Sequence, residues 1–286
     1  MNMMRFTTMK TKLRKYPSIF LILLLAISSC FLTGCVNQHP KDSKKSSQGE
    51  SVETMLEITD PKEKQAVLNA KAKVKALSGN PRIVATSPAV ADICDKLDLD
   101  LVGVPKSSVS KIPSRYKKVK KVGLAMSPDM EIVSSLNPDW ILAPSSLETD
   151  LKPKFEELKN TEYAFLNLRS VQGMYRSVQK LGEIFGKQQE AEKMTKEFTT
   201  FYKSYTKRNK NKKHPKVLVL MGLPGSYVIA TENSYVGSLV KLAGGENVFQ
   251  NTDQEFLTVN TEDMKKKEPD IIVRAAHALP DQVTKM

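Results

Sequence analysis

Glu131-Ile-Val-Ser-Ser-Leu-Asn-Pro138-Asp-Trp-Ile-Leu-Ala143 decides the fold, because the chain contains the pattern twice. An acid, a Pro-Asp pair seven residues later and then an apolar strand recur as Glu262-Asp-Met-Lys-Lys-Lys-Glu-Pro269-Asp-Ile-Ile-Val273. Each unit reads helix, Pro-Asp, strand. Working outward from the first copy, Arg82–Thr86, Leu101–Val104, Trp140–Ala143 and Tyr163–Leu168 are predicted strands, and 89–97 and 149–160 predicted helices. Ser127-Pro128-Asp129 supplies a cap, a first-turn proline and an acid for a helix reaching Leu136. Around the second copy, strands are expected at Val217–Met221, Tyr227–Ala230 and Asp270–Val273. Helices are expected at Tyr235–Ala243, ended by Gly244-Gly245, and at Thr261–Lys267. One proline-free helical stretch, about Val171 to Tyr205, lies between the two regions. The expected fold class is α/β: two α/β lobes joined by one long backbone helix, with a ligand cleft between them.

The N-terminus reads as an export signal. Arg5, Lys10, Lys12, Arg14 and Lys15 form a basic region without acids, followed by an apolar run from Ile19 to Leu32. Fourteen helical residues span about 21 Å, less than the roughly 30 Å of a bilayer core, so the run fits a signal peptide better than a permanent span. It ends Leu32-Thr33-Gly34-Cys35, which resembles the lipobox of bacterial lipoproteins. That likeness implies lipidation of Cys35 and an anchor on the outer face of the cell membrane. Beyond it, Asn37 to Ser51 is polar and Lys- and Ser-rich, the composition of a tether, and Glu53–Leu77 is expected to be partly helical before the folded body starts at Pro81.

Charge and cysteines exclude several classes. The formal net charge of +13 falls to +8 without the five basic residues of the signal. No zinc-finger spacing or aromatic RNA-binding stretch accompanies the remainder, so nucleic acid is not an expected partner. A basic run, Lys207, Arg208, Lys210, Lys212 and Lys213, follows the long helix and reads as a solvated helix end. Cys94 is the one cysteine of the folded body and reads as a small buried apolar residue. Gly222-Leu-Pro-Gly-Ser226 lacks the spacing of a nucleophile elbow and no phosphate loop is present, so the chain is not expected to be an enzyme, an exported hydrolase being the lesser alternative. One usable histidine is too few for a bare metal-ion cargo. His39 lies in the tether and His214 beside the basic run, whereas His277 follows a predicted strand, where α/β lobes present functional loops.

Arg82-Ile-Val-Ala-Thr-Ser, Val102-Gly-Val, Val122-Gly-Leu-Ala-Met126-Ser-Pro-Asp-Met, Leu220-Met-Gly-Leu-Pro-Gly-Ser-Tyr227, Ser234-Tyr-Val-Gly and Arg274-Ala-Ala-His277-Ala-Leu-Pro280 together resemble the class III substrate-binding proteins of ABC importers. Within that class they are most similar to the haem-binding lipoproteins, over roughly residues 81–286. The resemblance implies haem as bound cargo, with Met126 from one lobe and His277 from the other as axial iron ligands. A thioether and a neutral imidazole form a chemically sound pair. It also implies a haem pocket drawn from Thr86, Ser87, Ala89, Ser107, Ser108 and Lys111, with Tyr227 on the C-lobe wall. Glu131 and Glu262 would dock on the permease. The implied partners are that permease and its ATPase, a cell-surface haem donor protein and, through the lipid on Cys35, the membrane; the protein is expected to be a monomer. A siderophore or cobalamin cargo is the alternative within the same class.

These readings divide the chain into a signal peptide (1–34), a lipidated cysteine and flexible tether (35–80), an N-terminal α/β lobe (81–169), a linking helix with a basic loop (170–213) and a C-terminal α/β lobe (214–286). Relatives of this class continue with further helix and strand after the histidine. The C-lobe of a chain reaching only Met286 is therefore expected to be incomplete.

Overall fold

The structure, a computed structural model, describes residues 51–108, 110–223 and 226–276. The signal peptide, Cys35 and His277 lie outside the described residues. The described residues form one compact unit.

The described chain begins with two helices, α1 (Val52–Leu56) and α2 (Pro61–Lys75), capped by the side chains of Ser51 and Asp60. The N-lobe follows as β1 (Ile83–Ala85), α3 (Pro88–Lys96), β2 (Leu101–Val104), β3 (Lys120–Lys121), a hairpin of β4 (Gly123–Leu124) and β5 (Ser127–Pro128), α4 (Met130–Ser135), β6 (Trp140–Pro144), α5 (Glu148–Glu156) and β7 (Glu162–Leu166). Its parallel sheet has the order β3-β2-β1-β6-β7. Alternation along the strands fills two cores. Ile83, Ala85, Trp140 and Leu142 face a core shared with α3 and the linking helices, while Val84, Ile141 and Ala143 face one shared with α4 and α5.

The linking segment is α6 (Val171–Phe185) followed by α7 (Gln188–Asn209), not one continuous helix. Gly186 adopts a left-handed φ of 70° and ends α6. The chain reverses there. A Cβ on Gly182 would lie 2.6 Å from that of Ala191, and Tyr175 stacks on Phe198 at 4.6 Å. These two pairs, matched in opposite directions along the sequence, define an antiparallel helical hairpin. Thus α6 descends into the N-lobe core, through Val178, Leu181 and Ile184, and α7 returns to the C-lobe, where the Tyr205 hydroxyl donates to the Ala243 carbonyl at 2.8 Å.

The C-lobe comprises β8 (Lys216–Leu223), β9 (Ser226–Ala230), α8 (Tyr235–Leu242), β10 (Glu246–Asn247), β11 (Phe256–Leu257), α9 (Thr261–Lys266) and β12 (Ile271–Ala276). Its sheet is mixed: β8 pairs in parallel with β10 and β12 and antiparallel with β9, and β9 pairs with β11. Val217 and Val219 face one small core, Leu218 and Ile229 the other. Along β12, Ile271 and Ile272 are 46% and 60% exposed.

Two further sequence expectations need correction. The stretch 53–77, expected to be partly helical but placed with the flexible tether, belongs to the folded body: α1 and α2 lie against α6. Val67, Ala70 and Val74 pack on the N-lobe core, Lys180 pairs with Glu63 at 2.9 Å, and Lys71 pairs with Glu183. A polar composition hid this docking because ion pairs supply much of the seam. Ser127 does not cap α4. Asp129 does, accepting the N–H groups of Glu131 and Ile132 at 3.1 Å, while Ser127-Pro128 forms the second arm of the hairpin.

Candidate functional site: the C-terminal edge of the N-lobe sheet

Ligands of open α/β sheets gather beyond the carboxyl ends of the strands. Three segments meet there in the N-lobe. After β1, Ser87 caps α3, its Oγ accepting the Val90 N–H at 3.3 Å, and Ala89 lies exposed in the first turn, where N–H groups lack intrahelical partners. After β2 runs the loop of Ser107, Ser108 and Lys111; Ser107 Oγ accepts the Ser110 N–H at 2.9 Å, and Ser108 and Lys111 are exposed. After β3 comes the hairpin whose two-residue turn, Ala125-Met126, carries the proposed iron ligand.

The hairpin is tied to its neighbours. The Val122 N–H donates to Val104 O at 2.9 Å, the Lys106 N–H to Gly123 O at 2.6 Å, and the Asp129 N–H back to Val122 O at 2.7 Å. Gly123 permits this closure. Its φ is 97°, and a Cβ there would sit 2.9 Å from the Asp129 nitrogen. The result holds Met126 clear of the body, 73% exposed. Methionine ordinarily fills cores, and this one is aimed into solvent beside the serine loop.

Thr86 departs from expectation. It is fully buried, and its hydroxyl donates to the Leu142 carbonyl at 3.3 Å, across the sheet rather than toward the edge. Ala89, Ser107, Ser108, Lys111 and Met126 are brought together on one edge; Thr86 and Ser87, the latter 6% exposed, support it from beneath.

In the C-lobe, β12 runs parallel to β8, pairing Ala276 with Gly222, so both strands end at the same edge. His277 directly follows Ala276 in sequence. Tyr227, on β9 opposite Gly222, is 38% exposed at that edge. Glu131 and Glu262 occupy equivalent places, each exposed in the first turn of a short helix, α4 or α9, that precedes its Pro-Asp pair. Val133 and Met264 bury the inner faces of those helices. First-turn acids also suit the helix dipole.

The lobes touch at the β7 end of the same carboxyl-terminal edge, through residues that sequence reasoning passed over. Arg169, after β7, pairs with Glu255 at 2.7 Å, and the Val171 N–H donates to Ser238 Oγ at 3.2 Å. A polar cavity of about 380 Å3 opens there, between Asn167, Arg169 and Ser170 of one lobe and Glu232, Asn233 and Asp253 of the other. Among the described residues, none of those expected to hold haem lines it. The only available signal was a charged residue just after a strand, a feature too common to single out.

Comparison with known proteins agrees with this architecture. The chain is 41% identical over 210 residues to the high-affinity heme uptake system protein IsdE of Staphylococcus aureus, covering 73% of this chain and 71% of that protein. A crystal structure of S. aureus IsdE complexed with heme superposes with a TM-score of 0.66 at 41% identity, covering 73% of this chain and 80% of that one. An ABC transporter substrate-binding protein from Listeria monocytogenes EGD-e superposes with a TM-score of 0.67 at 47% identity, over 73% and 80% of the two chains. The model of the periplasmic binding protein family matches residues 83–286, and the chain belongs to that family.

Proposed function

We propose that this protein is a surface-anchored lipoprotein that captures haem outside the cell and delivers it to an ABC permease for iron acquisition. The observation that carries the reading is the Gly123-dependent hairpin, which holds a 73% exposed methionine beside a serine- and lysine-bearing loop, in a chain 41% identical to a haem uptake protein. Met126 and His277 would ligate the iron from opposite faces, the thioether as a soft neutral donor and the imidazole as the stronger one. Imidazole binds iron only when neutral, so acid competes with haem at this site. Ser87, Ser108, Lys111 and the first-turn N–H of Ala89 would receive the propionates as hydrogen-bond donors and a cation. Glu131 and Glu262, one on each lobe, would meet cations on the permease and set its orientation. Lipid on Cys35 would hold the protein at the outer face of the membrane. Among the described residues no helix is long and apolar enough to cross one.

The test is a haem titration of the mature full-length chain kept with its anchor in detergent. A six-coordinate low-spin spectrum is expected. Met126→Ala should retain haem with altered coordination, and His277→Ala should weaken binding sharply. No Soret shift, together with quenching of Trp140 fluorescence by a siderophore, would reassign the cargo.

A further inference from the structure

We infer that the basic run at the end of α7 is a docking surface for an anionic phospholipid membrane. Between Glu197 and Glu232 the chain has no acid but seven lysines and arginines, Lys203, Lys207, Arg208, Lys210, Lys212, Lys213 and Lys216. All seven are exposed. Among the described residues, Lys203 alone of the seven has a carboxylate partner, Glu53. Arg208 donates to Ser204 Oγ at 2.8 Å, a neutral contact that leaves its charge uncompensated.

That one ion pair identifies the occupant. Glu53 belongs to α1, the first described element, so the chain leading from Cys35 meets the body against α7 at Lys203. Lys207, Arg208 and the C-cap Lys210 follow within about 11 Å along the helix axis, and Lys212 and Lys213 lie in the turn directly after it. The inference rests on lipidation of Cys35, which leaves fifteen residues, 36–50, between the anchor and Ser51. Fifteen residues reach at most about 50 Å, so the lipid keeps this pole, where the tether enters the body, within that distance of the headgroups. The lipid alone suffices to anchor the chain, so the basic run acts on how the body is oriented at the surface rather than on whether it is held there. Each basic residue at an anionic surface multiplies partitioning by about fivefold.

The docked pole is the one far from the candidate site. Lys216 begins β8 and Leu223 ends it at the cleft edge, about 25 Å away. Seating the basic run on the bilayer turns the C-terminal strand edges, with Met126 and Tyr227, away from the membrane, the orientation that receives cargo from outside. Presenting Glu131 and Glu262 to a permease then requires release of the patch, so the patch weights a receiving state against a delivering one.

The experiment reconstitutes the mature lipidated chain, carrying Asn211→Cys with a fluorophore, into vesicles containing a headgroup spin-labelled quencher. Cys94 is buried and does not compete for the label. In equal parts phosphatidylglycerol and phosphatidylcholine, quenching is expected, relieved by salt and reduced at least about tenfold when Lys207, Arg208, Lys210, Lys212 and Lys213 are all changed to Gln. The exposed variant should keep its haem spectrum and melting behaviour. Equal quenching in phosphatidylcholine alone, or insensitivity to the variant, overturns the inference. Binding of soluble polyphosphate without quenching at anionic vesicles overturns it in favour of a polyanion ligand. A chain that fails to float with vesicles overturns the anchor reading and this inference with it, whereas one that floats unquenched overturns this inference alone.

Discussion

The Asp270 carboxylate accepts the backbone N–H of Lys216 at 2.7 Å, and the Asp139 carboxylate makes the same bond to Arg82, also at 2.7 Å. Each aspartate's own N–H returns a bond of 2.9 Å to the same partner's carbonyl. The Pro-Asp repeat is therefore a two-bond clamp that fastens the start of each lobe's first strand to the strand the aspartate introduces. The residue before each proline, Asn137 or Glu268, takes a left-handed φ of 44° or 47° to bring the clamp round. A charge-accepting hydrogen bond in a partly buried place contributes about 1–2 kcal/mol. Asp139→Ala should lose about that much stability in urea unfolding, and the more exposed Asp270→Ala less. An Asp139 variant as stable as the parent would reduce the clamp to a coincidence of geometry.

Gly123 and Met126 should separate fold from ligation. An alanine at 123 carries both the φ penalty and a 2.9 Å contact with the Asp129 nitrogen, so it should destabilise the hairpin by about 1–2 kcal/mol and weaken haem binding as well. Met126→Ala removes an exposed side chain and should leave stability within about 0.5 kcal/mol while changing the haem spectrum. If both variants alter the spectrum and neither alters stability, the hairpin is not held as described.

Cys94 provides an alkaline test of the N-lobe core. It is fully buried on α3, and desolvation pushes its thiol up to about 12. The folded state thus holds the proton more tightly than the unfolded chain. Stability from this group is complete below the ordinary thiol value and is lost as pH rises from there toward 12. Native protein should resist maleimide at pH 8 and react once unfolded. Cys94→Ala should flatten the fall of stability above pH 9. Rapid labelling of the native chain would contradict the burial.

How legible all this was depends on which force held each element. Strands β1 and β6 were readable because Ile83-Val-Ala85 and Trp140–Ala143 are apolar on both faces, the mark of a sheet covered on two sides. The caps Ser87, Ser170 and Ser234 stand just before helices and do what their chemistry suggests. The reversal at Gly186 was missed because apolar spacing continues on both sides of it; the left-handed φ of Gly186 and the close packing of Gly182 on Ala191 reveal the turn. The docking of α2 was missed because Lys71, Lys73 and Lys180 find acids more than eighty residues distant in sequence, and no local pattern records such partners. In the site, the residue types at the N-lobe edge were legible from motif, but the inward turn of the Thr86 hydroxyl was not, since a threonine before a cap suits either direction.

The α1–α2 brace should loosen in acid. The hydrogen bond from the Lys71 ammonium, with Gln188 beside it, holds the Glu183 carboxyl below the usual carboxylate range, and Lys203 does the same for Glu53. A depressed carboxylate stabilises fully above its unfolded value and loses that contribution as pH falls through the folded one. Amide exchange over 61–75, corrected for intrinsic rates, should therefore accelerate below about pH 4. Glu183→Gln should reproduce the acceleration at pH 7, and the N-lobe strands should be unaffected. Exchange unchanged by both acid and the variant would show that Val67, Ala70 and Val74 alone hold the brace.

On the proposed docking role, Glu131 and Glu262 would bear on delivery rather than capture. Both are exposed, neither forms an ion pair among the described residues, and their helices are anchored by Val133 and Met264 on the opposite face. Replacing either with Ala should cost at most the few tenths of a kcal/mol that a first-turn acid gives a helix and should leave the haem titration unchanged. With the permease and its ATPase in vesicles, each single variant should reduce haem-stimulated ATP hydrolysis severalfold. The double variant should reduce it further, because two acids on separate lobes fix orientation that neither can fix alone. Uptake that survives the double variant would move the permease contact elsewhere on the lobes, with the haem site intact.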